Sequence, residues 1–110
     1  MNRVVAFRRF DHQLRTAIAE KRLLRVGYKG KQRLVQPHDY GVKGGAVRLL
    51  VYQLSDGSGQ AARGWRLLDT AGIFACEVQE STFAGGRGDF SQQHMEWDEV
   101  LARVEPANKS

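Results

Sequence analysis

The feature that most constrains this 110-residue chain is a change of period at about residue 23. Upstream, in "FDHQLRTAIAEKR" (10–22), Phe10, Leu14, Ala17 and Ile18 recur at the spacing of one helical face. Asp11 stands in the expected first turn and Lys21 and Arg22 in the last, both suited to the helix dipole. Downstream, Leu24, Val26 and Tyr28 alternate with Arg25, Gly27 and Lys29, the period of a half-buried strand. A chain that switches from one period to the other must pack a helix on a sheet.

The rest of the sequence is punctuated like a meander. "KGKQ" (29–32) predicts a turn, "RLVQ" (33–36) a short strand that Pro37 stops, and "GVKGG" (41–45) another reversal. "AVRLLVYQL" (46–54) is the longest apolar strand. After the polar connection 55–64, "WRLLD" (65–69) and "IFACEV" (73–78) predict two more strands, five in all. "SQQHMEWDEVLARV" (91–104) reads as a second helix, capped by Ser91, with Trp97, Val100, Leu101 and Val104 on one face. The expectation is a single domain over 1–110, mainly β, with a small five-stranded barrel flanked by N-terminal and C-terminal helices. Closure would remove exposed strand edges.

The net charge of +5 is unevenly spread: residues 1–50 hold 12 Lys/Arg against 3 Asp/Glu, and residues 51–110 hold 5 against 9. Two readings stay open. One is an anionic partner on the first half, nucleic acid being the commonest; the other is a basic surface that is merely solvated. The single cysteine, Cys76, excludes a disulfide framework and implies a reducing, cytoplasmic setting. The apolar run "VVAF" near the start is too short for the core of a signal peptide, and no segment reaches transmembrane length, so no membrane partner is expected.

Signs of catalysis are missing. His12, His38 and His94 lack a second ligand-type residue at metal spacing, so neither a metal nor a cofactor is expected. No nucleophile elbow or reactive-cysteine pattern accompanies His38 and Asp39. "GGRGDF" (85–90) matches neither a P-loop nor a dinucleotide fingerprint, and its "RGD" reads as a chance triplet in a loop. The chain is therefore expected not to be an enzyme.

The arginines carry more information. On the 46–54 strand, Arg48 and Tyr52 share a face and lie roughly 13 Å apart. A guanidinium can fork onto phosphate while an aromatic ring receives a base. If 65–69 pairs with 46–54, Arg63 or Arg66 can stand beside Arg48. The opposing reading is that the arginine stems cover apolar neighbours and that Tyr52 and Trp65 are packing residues.

Taken in order, these pieces resemble the WYL domain over about residues 10–78. They are an Ala-Ile helix leading to a strand ending in Tyr28, a strand running into Pro37-His38, and a Gly-Gly turn. The apolar strand to Tyr52, the Arg63-to-Leu67 segment and Ile73 follow. The resemblance implies an Sm-like, SH3-like barrel with an N-terminal helix, and a bacterial ligand-sensing module linked to transcription regulation. It implies binding of single-stranded nucleic acid or a nucleotide-type ligand through clustered basic residues. Arg63 and Arg66 are the first candidates, Arg48, Tyr52 and His38 the second, and Arg33 on the preceding strand completes the set. Two departures stand out. The naming Trp-Tyr-Leu triplet is replaced by Val47-Arg48-Leu49, and only nine residues precede the helix, so the expectation is a stand-alone barrel without a helix-turn-helix. The alternative is a protein-interaction module of SH3-like type, binding a protein partner or a second copy.

Overall fold

The architecture comes from a computed structural model that describes residues 8–57, 63–88 and 95–107. The first element is α1 (Asp11–Glu20), which turns Leu14, Ala17 and Ile18 into the core. It stops two residues short of the expected end. Lys21 takes a left-handed conformation, its N–H bonds back to the carbonyls of Ala17 and Ile18, and the chain reverses into β1 (Arg22–Tyr28).

β1, β2 (Lys31–Lys43) and β3 (Ala46–Ser55) form two tight hairpins. Their two-residue loops are Lys29-Gly30 and Gly44-Gly45, all four at positive φ. That is the turn whose twist matches antiparallel strands. β4 (Gly64–Asp69) follows on β3, a 3-10 turn spans Thr70–Gly72, and β5 (Ile73–Thr82) pairs with β1.

Pro37 does not end its strand, contrary to the sequence expectation. β2 continues through it, and the reason is local. β1 pairs with β2 only as far as Val35, and β6 (Glu99–Arg103) takes over at Asp39. The missing N–H therefore falls between two partners, beside the bulge that displaces His38 from the β3 ladder.

β6 is the larger correction. Residues 95–104 form no helix: the stretch expected as the second half of a C-terminal helix is a strand, and Ser91 lies outside the described residues. Beyond Pro37, β2 offers a ladder edge that β1 has left, and Val100 within β6 is β-branched, so pairing overrides helical spacing. The described elements are thus one helix and a six-stranded antiparallel sheet in the order β4-β3-β2-β1-β5, with β6 on β2. That replaces the expected five strands and two helices.

Nor is the barrel closed, since β4 and β5 are both edges. Yet only three residues join them, so Asp69 and Ile73 are at most about 14 Å apart. The sheet must curl until its edges approach at that corner. Inside the curl, α1 meets Leu24, Val26, Val35, Tyr40, Leu49, Val51, Leu68 and Val104.

Candidate functional site

Register decides which arginines can cooperate. Directly opposed residues of an antiparallel pair share a face. Across β3 and β4 the pairs are Arg48↔Asp69, Leu50↔Leu67 and Tyr52↔Trp65 on one face, and Leu49↔Leu68 and Val51↔Arg66 on the other. The second face is the core side, because Leu49, Val51 and Leu68 are buried in the main cluster. Arg48 and Tyr52 therefore lie on the outer face, as the alternation predicts, while Arg66 points the opposite way. It donates to the carbonyl of its neighbour Trp65 at 3.0 Å. Arg33, opposite Val26, is also on the core side, at its rim. It donates to the Tyr28 carbonyl and the Gln53 side chain and lies 5.6 Å from the Tyr28 ring centre. Arg63 stands exposed just before β4.

The outer face has an aromatic shelf. Tyr52 and Trp65 meet edge to face at 5.4 Å, and the His38 ring meets Trp65 at 4.8 Å. His38 is fully buried, its Nδ1 at 2.9 Å from the Gln36 carbonyl and its ring against Phe83, so it supports the shelf from beneath rather than facing solvent. Over Tyr52 lies Arg87, its guanidinium carbon 3.5 Å from the ring centre and its Nε donating to Gln36 Oε1 at 3.0 Å. A guanidinium at that separation is stacked flat on the ring.

Arg87 is the residue that sequence reasoning missed. It sits in the glycine-flanked "GGRGD" loop, 51 positions from Gln36, and no periodicity links the two. The only available signal was an arginine set between glycines. The loop is held in place by Gly85, which adopts φ +128; a β-carbon there would run into the backbone of Glu105 and Pro106. Gly86 N–H bonds to the Glu105 carbonyl and Ala107 N–H to the Gly86 carbonyl.

The charges are distributed unequally. Arg15 pairs with Asp11, Arg22 with Glu20, Lys31 with Asp56, and Arg103 forks onto the buried Asp39 at 3.0 and 3.2 Å. Among the described residues, no carboxylate pairs with Arg8, Arg9, Arg48, Arg63 or Arg87. Arg48 donates only to the Lys43 carbonyl, at 3.1 Å. Among the described residues Arg63 and Arg87 have no ion-pair partner, and Asp69 stands across the ladder from Arg48 without bonding it.

Nucleophilic chemistry finds little here. Burial pushes the Cys76 thiol up to about 11, so it stays protonated at neutral pH. His38 packs under the shelf, Asp39 holds Arg103, and Arg66 lies on the other face of β4. Among the described residues, no three His, Cys, Asp or Glu side chains gather as a metal site would need. No helix among them is long and apolar enough to cross a membrane.

No family model, no curated protein and no solved structure matches the chain.

Proposed function

We propose that this chain is a non-enzymatic, cytoplasmic binding module that holds single-stranded nucleic acid on the outer face of β3 and β4. A base stacks at Tyr52 and Trp65, and the backbone phosphates meet Arg87, Arg63 and Arg48. The reading treats the curled sheet as an Sm-like barrel left open between β4 and β5, and the chain as a WYL-like regulatory domain. Arg66 and Arg33, on the core side, take no direct part in it.

The observation that carries the reading is Arg87 flat on Tyr52 at 3.5 Å, with no carboxylate of its own among the described residues. A ring that accepts a planar cation on its face also accepts a base when the guanidinium swings aside, and Arg87 is then at hand for the phosphate that arrives with it. Arg48 and Arg63, which have no ion-pair partner among the described residues, point the same way.

The test is equilibrium binding of a fluorescent oligothymidylate at low salt. Tyr52→Ala is expected to weaken binding by about 1–3 kcal/mol, the value of one stacked base. Arg66→Ala, on the opposite face, is the control and should change affinity little. Loss of binding in Arg66→Ala with full retention in Tyr52→Ala would refute the site.

A second reading has its own observation. Among the described residues β4 and β5 each leave one side of the ladder unpaired, and Phe74 on β5 is 55 % exposed. An extended peptide could add to such an edge. Absence of oligonucleotide binding at low salt would favour it.

A further inference from the structure

One cleft lies away from the aromatic shelf, between the residues leading into α1 and the turn after β4. It encloses about 450 Å³, within the size range of small-molecule sites, whereas the hollow beside Arg87 encloses about 220 Å³. A third cleft, between α1 and β6, is lined by Arg15 and Arg103, both already held by carboxylates.

The chemistry of this cleft is mixed. Arg8 and Arg9 bring two cations, and Asp69 and Thr70 bring a carboxylate and a hydroxyl. The acidic side is fixed in place. Asp69 Oδ1 accepts from the Ala71 N–H at 3.1 Å, and Thr70 Oγ1 donates to the Val47 carbonyl at 3.0 Å. Asp69 Oδ2 is left without a hydrogen-bond donor among the described residues, and neither arginine has an ion-pair partner there. Arg9 only leans over the Phe10 ring, at 5.9 Å, and Arg8 acts on Asp11 through its field alone.

A bare anion would suit the arginines but be repelled by Asp69, and a cation would meet the reverse. The ligand that satisfies both sides carries a phosphate together with neutral hydroxyl donors. We propose that this cleft binds a sugar phosphate, for which a nucleoside 5′-phosphate serves as probe, with Arg8 and Arg9 on the phosphate and Asp69 Oδ2 accepting from the sugar hydroxyls. The site adjoins Arg48, which stands across the ladder from Asp69, but shares no residue with the Tyr52 shelf and does not depend on that reading. It would make the domain responsive to a small ligand as well as to a strand.

Isothermal titration calorimetry on the full chain tests this with three probes: ADP, 2′,3′-dideoxy-ADP and inorganic pyrophosphate. ADP should bind, and loss of the hydroxyls should weaken binding about ten-fold, the equivalent of one hydrogen bond to a charged group. The double variant Arg8→Ala/Arg9→Ala should abolish binding, and its melting temperature checks that it folds. Asp69→Asn keeps the turn-capping oxygen. It should shrink the preference for ADP over its dideoxy form and tighten pyrophosphate binding, because a repelling charge is gone. Tyr52→Ala should leave all three affinities unchanged. Equal affinity for ADP and dideoxy-ADP, survival of binding in the arginine double variant, or no heat with ADP at about 5 mM would each overturn the proposal. None of these outcomes bears on whether an oligonucleotide binds the shelf.

Discussion

Single residues show how one side chain ties helix to sheet. Tyr40 is fully buried in β2, and its hydroxyl donates to Asp11 Oδ1 at 2.6 Å, while Arg15 donates to Oδ2 at 3.0 Å. Burial pushes the Asp11 carboxyl up, but the two hydrogen bonds and the charges of Arg15 and Arg8 outweigh it, so the carboxyl lies below its ordinary value of 3.8. Tyr40 moves the other way, well above 10.0, through burial first and then the bond and charge of Asp11. Both shifts favour the same state, carboxylate with phenol. The Asp11 contribution to stability is therefore present above pH 3.8 and lost as pH falls through the lowered folded value. The Tyr40 contribution is present below pH 10.0 and lost as pH rises beyond it. Asp11→Ala should cost about 1–3 kcal/mol at neutral pH, since it strands a buried phenol, and should flatten the acid limb of the stability curve; urea melts across pH check both. An unchanged acid limb would mean that Asp11 does not carry the effect.

Elements show which signals survive in a linear reading. α1 and both hairpins were legible because their causes are local: a 3.6-residue apolar stripe, and Lys29-Gly30 and Gly44-Gly45 at positive φ. β6 was not, because its cause is remote. Trp97, Val100, Leu101 and Val104 carry helical spacing, but β2 has an unpaired edge beyond Pro37, and ladder bonds plus burial of Val104 decide the outcome. The same distance hid the site. Arg48 and Tyr52 could be placed on one face by alternation within β3, whereas which of Arg63 and Arg66 shares that face needs the β3–β4 register, and Arg87 reaches Tyr52 only through the folded loop. Gly41 makes the β6 pairing testable. A β-carbon there would collide with the Glu99 carbonyl and touch the Trp97 ring. Gly41→Ala should destabilise by about 1–3 kcal/mol, read by chemical denaturation, with hydrogen exchange rising first in residues 99–103. Exchange that rises elsewhere and spares β6 would contradict the pairing. Leu14→Ala, by contrast, should cost about 2–5 kcal/mol with global loss of protection, because it opens a cavity where helix meets sheet.

At the scale of the whole molecule, a curled sheet separates two environments. Its inner side is sealed by α1, and its outer side carries Tyr52, Trp65 and Arg87, with Arg48 further along β3 and Arg63 just before β4. The proposed function rests on cations that have no ion-pair partner among the described residues, so its clearest signature is ionic strength. The decisive measurement is the affinity for a short oligothymidylate as a function of salt, for the wild type and for Arg87→Ala. Three arginine–phosphate contacts on a single strand predict a slope of log affinity against log salt of about −2, reduced by about 0.7 in the variant. A slope near zero, or one identical in Arg87→Ala, would contradict the claim that the outer face binds nucleic acid through these side chains.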